Sequence, residues 1–559
     1  MTPVHEIQGE GLFSPLANKE VRTRGVVTGF TRKGFFIQDP DGGGQPERSE
    51  GIFVFFRHRP PPLGASVAVR GRVVDYLSDE ADRPTTQIAK CRYELLPEPL
   101  GAVHPVWLRA DTLPLDSAAL AHYLNRLEGM LVGIEAGATF IAPSNPFGDY
   151  VVLPEGSTRE LRSAHGGVLI DPEHPSRWFP GFRILDRERA PVVNVGSRLM
   201  SDVVGPLNYR SAAYQIAAQG SIEASDSPIQ TPDAHLASTS RRTTVLTLNG
   251  FNLDPNIEDP SKVADPHRDV DDDVGDGRFV QLAEAIVKTA RCPDIVALQE
   301  IQDADGAEQT QVVSARATYD ELIRAIRRVG GPGYTAIDIA PENEADGGQP
   351  GGNIRNGFLY NPREIELVKD SPRRLGMGEP AFADSRKVLA AAFRKRQCGD
   401  EITILNVHLA SKRHQRGIFS PEQPGWDPRS GLRVEQAGLI RKELLDLRRR
   451  GCRYYVTGDF NDFEFSETVR ALLGDESANL VETVPPNERY DYNHRGRLQV
   501  LMHGIVAREE LSSGRAHYEI LHGNELSGVR PGDLGAKPTD HAYVLAAFDS
   551  AELDVPPES

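Results

Sequence analysis

"YYVTGDFNDFE", residues 454–464, runs four β-forming residues straight into two carboxylates and an amide. An unbroken run of apolar and β-branched residues reads as a strand covered on both faces, the kind found in layered α/β domains. Asp459 and Asn461 follow at the mouth of that strand, in a place a hydrophobic core would not admit them. Where strands end, loops expose side chains that a rigid scaffold holds still, so ligand-binding and catalytic groups gather there. The stretch therefore fixes a fold class and marks a site.

The same texture extends both ways from it. "TTVLTLN" (243–249) is a buried strand, and in "GRFVQLAEAIVKTARC" (277–292) Phe279, Leu282, Ile286 and Ala290 share one helical face ahead of the strand "DIVALQE" (294–300). Strands at 356–362, 401–411, 497–507 and 542–548 and a helix at 432–451 continue the alternation. Residues 243–550 thus predict one α/β layered domain.

Upstream the pattern is different. Residues 1–100 read as five short alternating strands separated by Gly, Pro and Asp turns, which predicts a small closed barrel. Phe35, Phe36, Phe53 and Phe55 are interleaved there with Arg22, Arg24, Lys33, Arg57 and Arg59. That mixture stacks bases and neutralises phosphates on single strands, while the phenylalanines also suit a barrel core. Residues 101–225 form a second β-rich module, 226–242 a Ser/Thr/Pro/Asp-rich linker and 551–559 a tail.

Bulk composition sets bounds. A chain of 559 residues exceeds one hydrophobic core and divides into several domains. With 39% hydrophobic and 26% charged residues it is globular, and no apolar run reaches the ~18 residues of a membrane span. The first twenty residues lack a basic start and an apolar core, so the sequence as written reads as cytoplasmic. Cys91, Cys292, Cys398 and Cys452 form no C-x-x-C pair, which speaks against a zinc site or disulfide framework. A net charge of -17 excludes polyanion binding by bulk electrostatics but leaves room for a local basic groove. The acidic run "DVDDDVGDG" (269–277) lacks the closing Glu of a calcium loop and reads as a solvated acidic loop.

Five strand ends of the α/β domain carry polar residues: Asn249 in "TLNGFN", Glu300 in "ALQEIQD", His408 in "LNVHLASK", Asp459 and Asn461 in "GDFND", and Asp540 with His541 in "PTDHAYV". Any one of them could be a cap or a turn; five together point to a site. In this order they resemble the endonuclease/exonuclease/phosphatase superfamily over residues 243 to about 547. "DGGQPGGNIRNGFLYNP" (346–362), "NVHLASK" (406–412) and "GDFNDFEFSE" (458–467) are similar to its bacterial extracellular-nuclease branch, and residues 5–40 are similar to the first of the OB-fold-like modules that precede the nuclease there.

The resemblance implies two OB-like barrels followed by a four-layer α/β sandwich of the deoxyribonuclease type. It also implies a nuclease that cuts DNA, with RNA as a further substrate, to 5′-phosphate and 3′-hydroxyl ends. Two alternatives stay open: a phosphodiesterase or phosphatase acting on lipid or inositol phosphates, and a catalytically degenerate nucleic-acid-binding protein. A phosphodiester repels hydroxide, so a hard divalent cation is called for, Mg²⁺ with Mn²⁺ or Ca²⁺ as alternatives. Glu300 is its first ligand, and the resemblance adds Asn249 and Asp540. The resemblance also offers Asp459 and His541 for activating water and places His408 opposite them, donating to the phosphate or to the departing O3′. Asn461 holds a phosphate oxygen or the nucleophile, with Arg355 and Lys412 as phosphate contacts. It makes secretion the alternative to a cytoplasmic location. Where the branch usually shows "LDH", this chain reads "VLMHGIV" (500–506), with Met502 in place of the Asp that orients the terminal His. Asp491 is the candidate replacement.

Overall fold

A computed structural model of the chain describes residues 1–41, 47–78, 83–412, 417–420, 427–533 and 537–550. The tail at 551–559 lies outside the described residues. Strands Glu20–Thr31, Gly34–Gln38, Gly51–Phe55, Ser66–Tyr76 and Thr85–Leu95 close into a barrel, as the five alternating segments predict. Closure comes from Thr85–Leu95, which runs parallel to Gly51–Phe55 and antiparallel to Ser66–Tyr76. Alternation sends Val27, Phe35, Ile52, Val54, Val69 and Ile88 into the core.

The barrel's outer face meets the second module at close range. A Cβ on Gly51 would lie 2.2 Å from the Gly129 carbonyl carbon, and one on Gly129 would lie 2.8 Å from that of Gly51, so only paired glycines let the two backbones approach. The second module differs from the expected barrel. Among the described residues seven of its strands follow an open path from Val106–Trp107 to Thr139–Phe140, with two parallel pairings, Val106–Trp107 on Leu131–Ile134 and Gly181–Ile184 on Ala213–Ala218. It also carries a helix, Ser117–Asn125, whose first turn is capped by the Asp116 carboxylate accepting from the Ala119 N–H.

The α/β domain has the four layers expected. A six-stranded sheet is ordered Thr335–Ile337, Arg355–Tyr360, Ile295–Ile301, Arg242–Leu253, Tyr543–Asp549, Ala516–Leu521. A seven-stranded sheet is centred on Glu401–His408, Tyr454–Asp459 and Met502–Ala507. Their inner faces share one core, in which Val245, Ala297 and Val544 from the first sheet meet Ile404, Tyr455 and Met502 from the second. Arg278–Glu284 and Arg316–Arg328 cover one outer face, and Ser430–Arg449 and Glu467–Leu473 the other. No helix among the described residues is long and apolar enough to cross a membrane.

Two parallel pairs lie back to back at the centre. Arg242–Leu253 runs beside Ile295–Ile301, and Glu401–His408 beside Tyr454–Asp459, each joined through a crossover helix. Polar bonds pin the two sheets together beneath the strand ends: the Thr247 and Thr457 hydroxyls lie 2.5 Å apart, and the Gln299 amide donates to Asn406 Oδ1 at 2.7 Å. Because these groups are buried and bonded to one another, the relative register of the sheets is fixed where side chains must meet across the gap.

Three readings need correction. Residues 497–507, read as one strand, are two: Arg497–Gln499 and Met502–Ala507. The break falls where Asp491 Oδ2 accepts the N–H groups of Leu501 and Met502 at 2.8 and 3.0 Å. The acidic run at 269–277 is only partly solvated, since Asp273 is buried in an ion pair with Arg278. The linker is laid against the α/β domain, with the His235 and Leu236 N–H groups donating to the Glu519 carboxylate and Ser238 Oγ to Asp294.

Candidate active site

The C-terminal ends of the two parallel pairs open at one edge of the sandwich. On the first sheet both strands leave regular geometry at this point, with register shifts between Asn249 and Leu253 and between Leu298 and Ile301. Such bulges re-aim side chains. Glu300 takes the left-handed conformation, φ +53, and Asn461 does the same at φ +51. Non-glycine residues held there cost free energy and cluster at functional sites.

Short turns hold the other groups. Asn249 Oδ1 accepts the Phe251 N–H at 2.7 Å while its Nδ2 donates to Glu300 Oε1 at 3.1 Å, so the turn former and the site residue are one side chain. Asp459 Oδ1 accepts the Asn461 N–H at 2.7 Å, and the Asn461 amide donates to the Leu409 carbonyl. The sheet register sets His408 directly opposite Asp459. His408 Nε2 then lies 3.7 Å from Glu300 and 3.6 Å from Asp459, and its buried Nδ1 has no hydrogen-bond partner.

His541 is held firmly. Its Nδ1 is 2.9 Å from Asp491 Oδ1, and its Nε2 is 3.9 Å from both Asp459 and Asp540. Asp491 is fully buried, and its own backbone bonds to Gln499 and Ala542 tie it to the broken strand and to the His541 segment. The orienting carboxylate that Met502 does not supply therefore comes from Asp491. Met502 itself faces the core between the sheets.

Electrostatics follow from burial and crowding of like charges. Burial, then the charges of Asp540 and Asp459, push the Glu300 carboxyl up, and burial raises that of Asp459. Burial drives His408 well below the usual imidazole range, helped by the Arg386 and His541 charges, so it is neutral. Burial opposes a charge on His541 too, but the Asp491 hydrogen bond and the nearby Asp540, Asp459 and Asp491 carboxylates push it up to about 10.

Glu300, His408 and Asp459 bring one ligand atom each to within 4.8 Å of one another. Lys412 reaches the rim, 3.2 Å from Asp462 and 3.4 Å above the Phe463 ring centroid. Arg355 is buried, pairs with Asp338 at 3.1 Å and donates from Nε to the Asn353 carbonyl, while its Nη2 has no hydrogen-bond partner. Two neighbours escape a reading of the sequence. Arg386 is buried, donates to the Leu409 carbonyl at 2.8 Å and acts electrostatically on Glu300, Asp459 and His408. The Tyr492 ring lies 4.8 Å from that of His541. A lone Arg at the start of a strand carries no signal in the sequence, whereas "YDYNH" (490–494), with a carboxylate between aromatics, was the available hint for Tyr492.

The barrel strip divides by face. Phe35 and Phe36 are buried, while Phe53 and Phe55 line a cavity of about 610 Å³ between the barrel and the second module, together with Lys33, Arg57, Arg183 and Arg210. The Arg57 guanidinium sits 5.5 Å from the Phe55 ring centroid.

A family described as "Domain of unknown function (DUF8508)" matches residues 107–227. No curated protein matches the chain. Among solved structures the chain is similar to a humanized D. rerio TDP2, at 14% identity and a TM-score of 0.36, covering 56% of this chain and 100% of that one. It is also similar to an endonuclease/exonuclease/phosphatase from Bacteroides vulgatus, at 16% identity and a TM-score of 0.34, covering 56% and 99%. The catalytic domain of human Nocturnin with a bound sulfate anion is similar at 14% identity and a TM-score of 0.36, covering 55% and 94%.

Proposed function

We propose that the chain is a divalent-metal-dependent phosphodiesterase of the endonuclease/exonuclease/phosphatase type. It hydrolyses DNA, with RNA as a second substrate, leaving 5′-phosphate and 3′-hydroxyl ends. The observation that carries this reading is the convergence of Asn249, Glu300, His408, Asp459, Asp540 and His541 on one edge, with His541 held by Asp491 at 2.9 Å.

The residues fit a cation. Two carboxylates and an imidazole crowd one spot, and the Asp540 and Asp459 charges add to burial in raising the proton affinity of Glu300, a repulsion that a cation would relieve. Oxygen-rich donors suit Mg²⁺ or Mn²⁺. Glu300 would be the main ligand, supported by Asn249 and Asp540 and completed by Asp459 or His408. Bound there, a cation neutralises the phosphodiester and polarises its oxygens.

The chain's own groups do the rest. Asp459, with its raised proton affinity, takes the proton from the attacking water. His541, charged and oriented by Asp491, donates from Nε2 to a phosphate oxygen and so stabilises the charge that builds in the transition state. His408, neutral, can donate one N–H towards the departing O3′, and the Asn461 amide supports an oxygen without adding charge. The closed barrel serves as an OB-like module, with Phe53, Phe55 and the arginines around them taking nucleic acid. That basic, aromatic cavity favours nucleic acid over a lipid or inositol phosphate.

Cleavage of single-stranded DNA and nicking of a plasmid by the full chain with Mg²⁺, Mn²⁺ or a chelator test the proposal, run beside phosphate release from lipid and inositol phosphates. Cation-dependent cleavage of DNA is expected. Folded protein that leaves both the single strand and the plasmid intact under every cation refutes it.

A further inference from the structure

The second module does more than link the barrel to the α/β domain. Its Val168–Leu169 pairs in parallel with Arg497–Leu498, extending the sheet that contains Tyr492–His494. Leu169 and Val195 share a small core with Tyr490, Leu498 and Leu526. Phe419 enters the module's own core, its ring 5.1 Å from that of Tyr214 and 6.0 Å from that of Trp178. Main-chain pairing plus two shared cores makes this a fixed wall.

The wall stands over the catalytic edge. Module segments at 142–147, 176–181 and 211–215 face Phe251, Lys412, 492–497 and Asp540 across a cavity of about 710 Å³. The cavity reaches the catalytic cluster directly, through Asp540 and through Tyr492 beside His541. Its cations come from both sides: Arg177, paired with Glu160, on the module, and Lys412, paired with Asp462, together with Arg495, Arg497 and Lys537 on the α/β domain. Arg495 and Arg497 donate across the junction to the Ser211 and Pro175 carbonyls, and neither has a carboxylate partner among the described residues. Two of the acids lining the cavity are committed, Asp149 to Arg183 and Glu525 to His522. Phe147 is 55% exposed and Phe251 37%, large rings offered to the opening.

We infer that the 107–227 module is a substrate-selecting wall that admits a single unpaired nucleic-acid strand to the catalytic edge and keeps duplex out. The inference rests on the phosphodiesterase reading and names its substrate class. A walled cavity in the range of roughly 300–1,000 Å³ takes small ligands or a few splayed nucleotides. A duplex needs an open face, because its backbones and stacked bases move as one body with grooves about 12 and 6 Å wide. Guanidinium groups with free donors meet phosphates, and exposed rings stack bases whatever their sequence.

Photocrosslinking tests this without relying on turnover. The full chain, in chelator, is irradiated with an iododeoxyuridine-substituted single strand and with the same sequence as a closed-ended hairpin duplex, and the adducts are mapped. Single-strand adducts within 142–147, 176–181 or 492–497, absent with the duplex, are expected. Adducts confined to the barrel, or equal labelling of these segments by duplex, overturn the inference. Phe147→Ala and Arg495→Ala alter exposed side chains. Each is expected to weaken single-strand binding about five- to tenfold, and Arg495→Ala to reduce the salt dependence by roughly 0.7 in log–log slope. Unchanged affinity and slope in both variants count against it. Single-strand cleavage that fails under every cation while these adducts form refutes the nuclease reading and leaves the wall standing.

Discussion

Asp491→Asn isolates the least expected feature of the site. Asp491 uses both oxygens: Oδ1 faces His541 Nδ1 at 2.9 Å, and Oδ2 accepts the Leu501 and Met502 N–H groups at 2.8 and 3.0 Å. An amide has one accepting end. If its oxygen keeps the two backbone donors, its NH₂ points at Nδ1, which must then accept, and the proton is confined to Nε2. If it rotates, the NH₂ confronts the two backbone N–H groups and the strand break loses its anchor. In the first case the imidazole loses its charge partner and with it the charged form, keeping only a neutral Nε2–H donor; loss of the orienting carboxylate costs up to roughly 10⁴-fold in kcat in serine-protease triads. Asp459 still accepts the water proton, so a fall of about 10²- to 10⁴-fold is expected.

Single-turnover cleavage against pH measures the loss, and NMR titration of the His541 imidazole measures its cause. In the wild type the imidazole should titrate far above the ordinary value of about 6.5, in keeping with about 10 in the cation-free site. In Asp491→Asn it should return towards the ordinary value. A variant that keeps kcat within tenfold and an unshifted imidazole would show that something other than Asp491 orients His541.

Four further outcomes follow from the same geometry. Glu300→Ala should abolish cation-dependent cleavage with little change in Tm, since it removes a partly exposed carboxylate at a strand end; near wild-type rates would refute its role as main ligand. Met502→Asp should give no gain in rate and should destabilise by several kcal/mol in chemical denaturation, because an unpaired carboxylate would sit in the fully buried core between the sheets. A chain begun at residue 241 should aggregate or melt early rather than fold normally with a raised KM, because Leu169 and Val195 complete a core with Tyr490, Leu498 and Leu526; a normal Tm would show that core to be dispensable. Burial raises Glu128 from 4.5 to about 7, so the folded state binds its proton more tightly than the unfolded chain does. Stability from this group is full below pH 4.5 and is lost as pH rises through about 7, by at most roughly 3 kcal/mol. Glu128→Gln should flatten that part of the stability curve, and an unchanged slope would place the titration elsewhere.

What the sequence discloses here is set by the range of the interactions involved. Strand and helix periods are local, so the five barrel strands and the α/β alternation could be read directly, and so could the polar strand ends, because a carboxylate after an apolar run contradicts its neighbours. Asp491 was within reach only because a vacancy at Met502 demanded a substitute. Its partnership with His541 spans 50 residues and depends on a strand break that periodicity cannot show. Arg386 is harder still, since a buried guanidinium is meaningful only through the carboxylates around it, and those come from other strands. The wall over the catalytic edge is the limiting case. Its decisive contacts join 168–169 to 497–498 and Phe419 to Trp178, pairs that share neither period nor motif. The composition of the 101–225 module is that of any β-rich domain; only its position beside Tyr492 and Asp540 gives Arg177 and Phe147 a substrate to meet. Chemistry that resides in one strand end is therefore legible from sequence, and selectivity that resides between two domains has to be read from the fold.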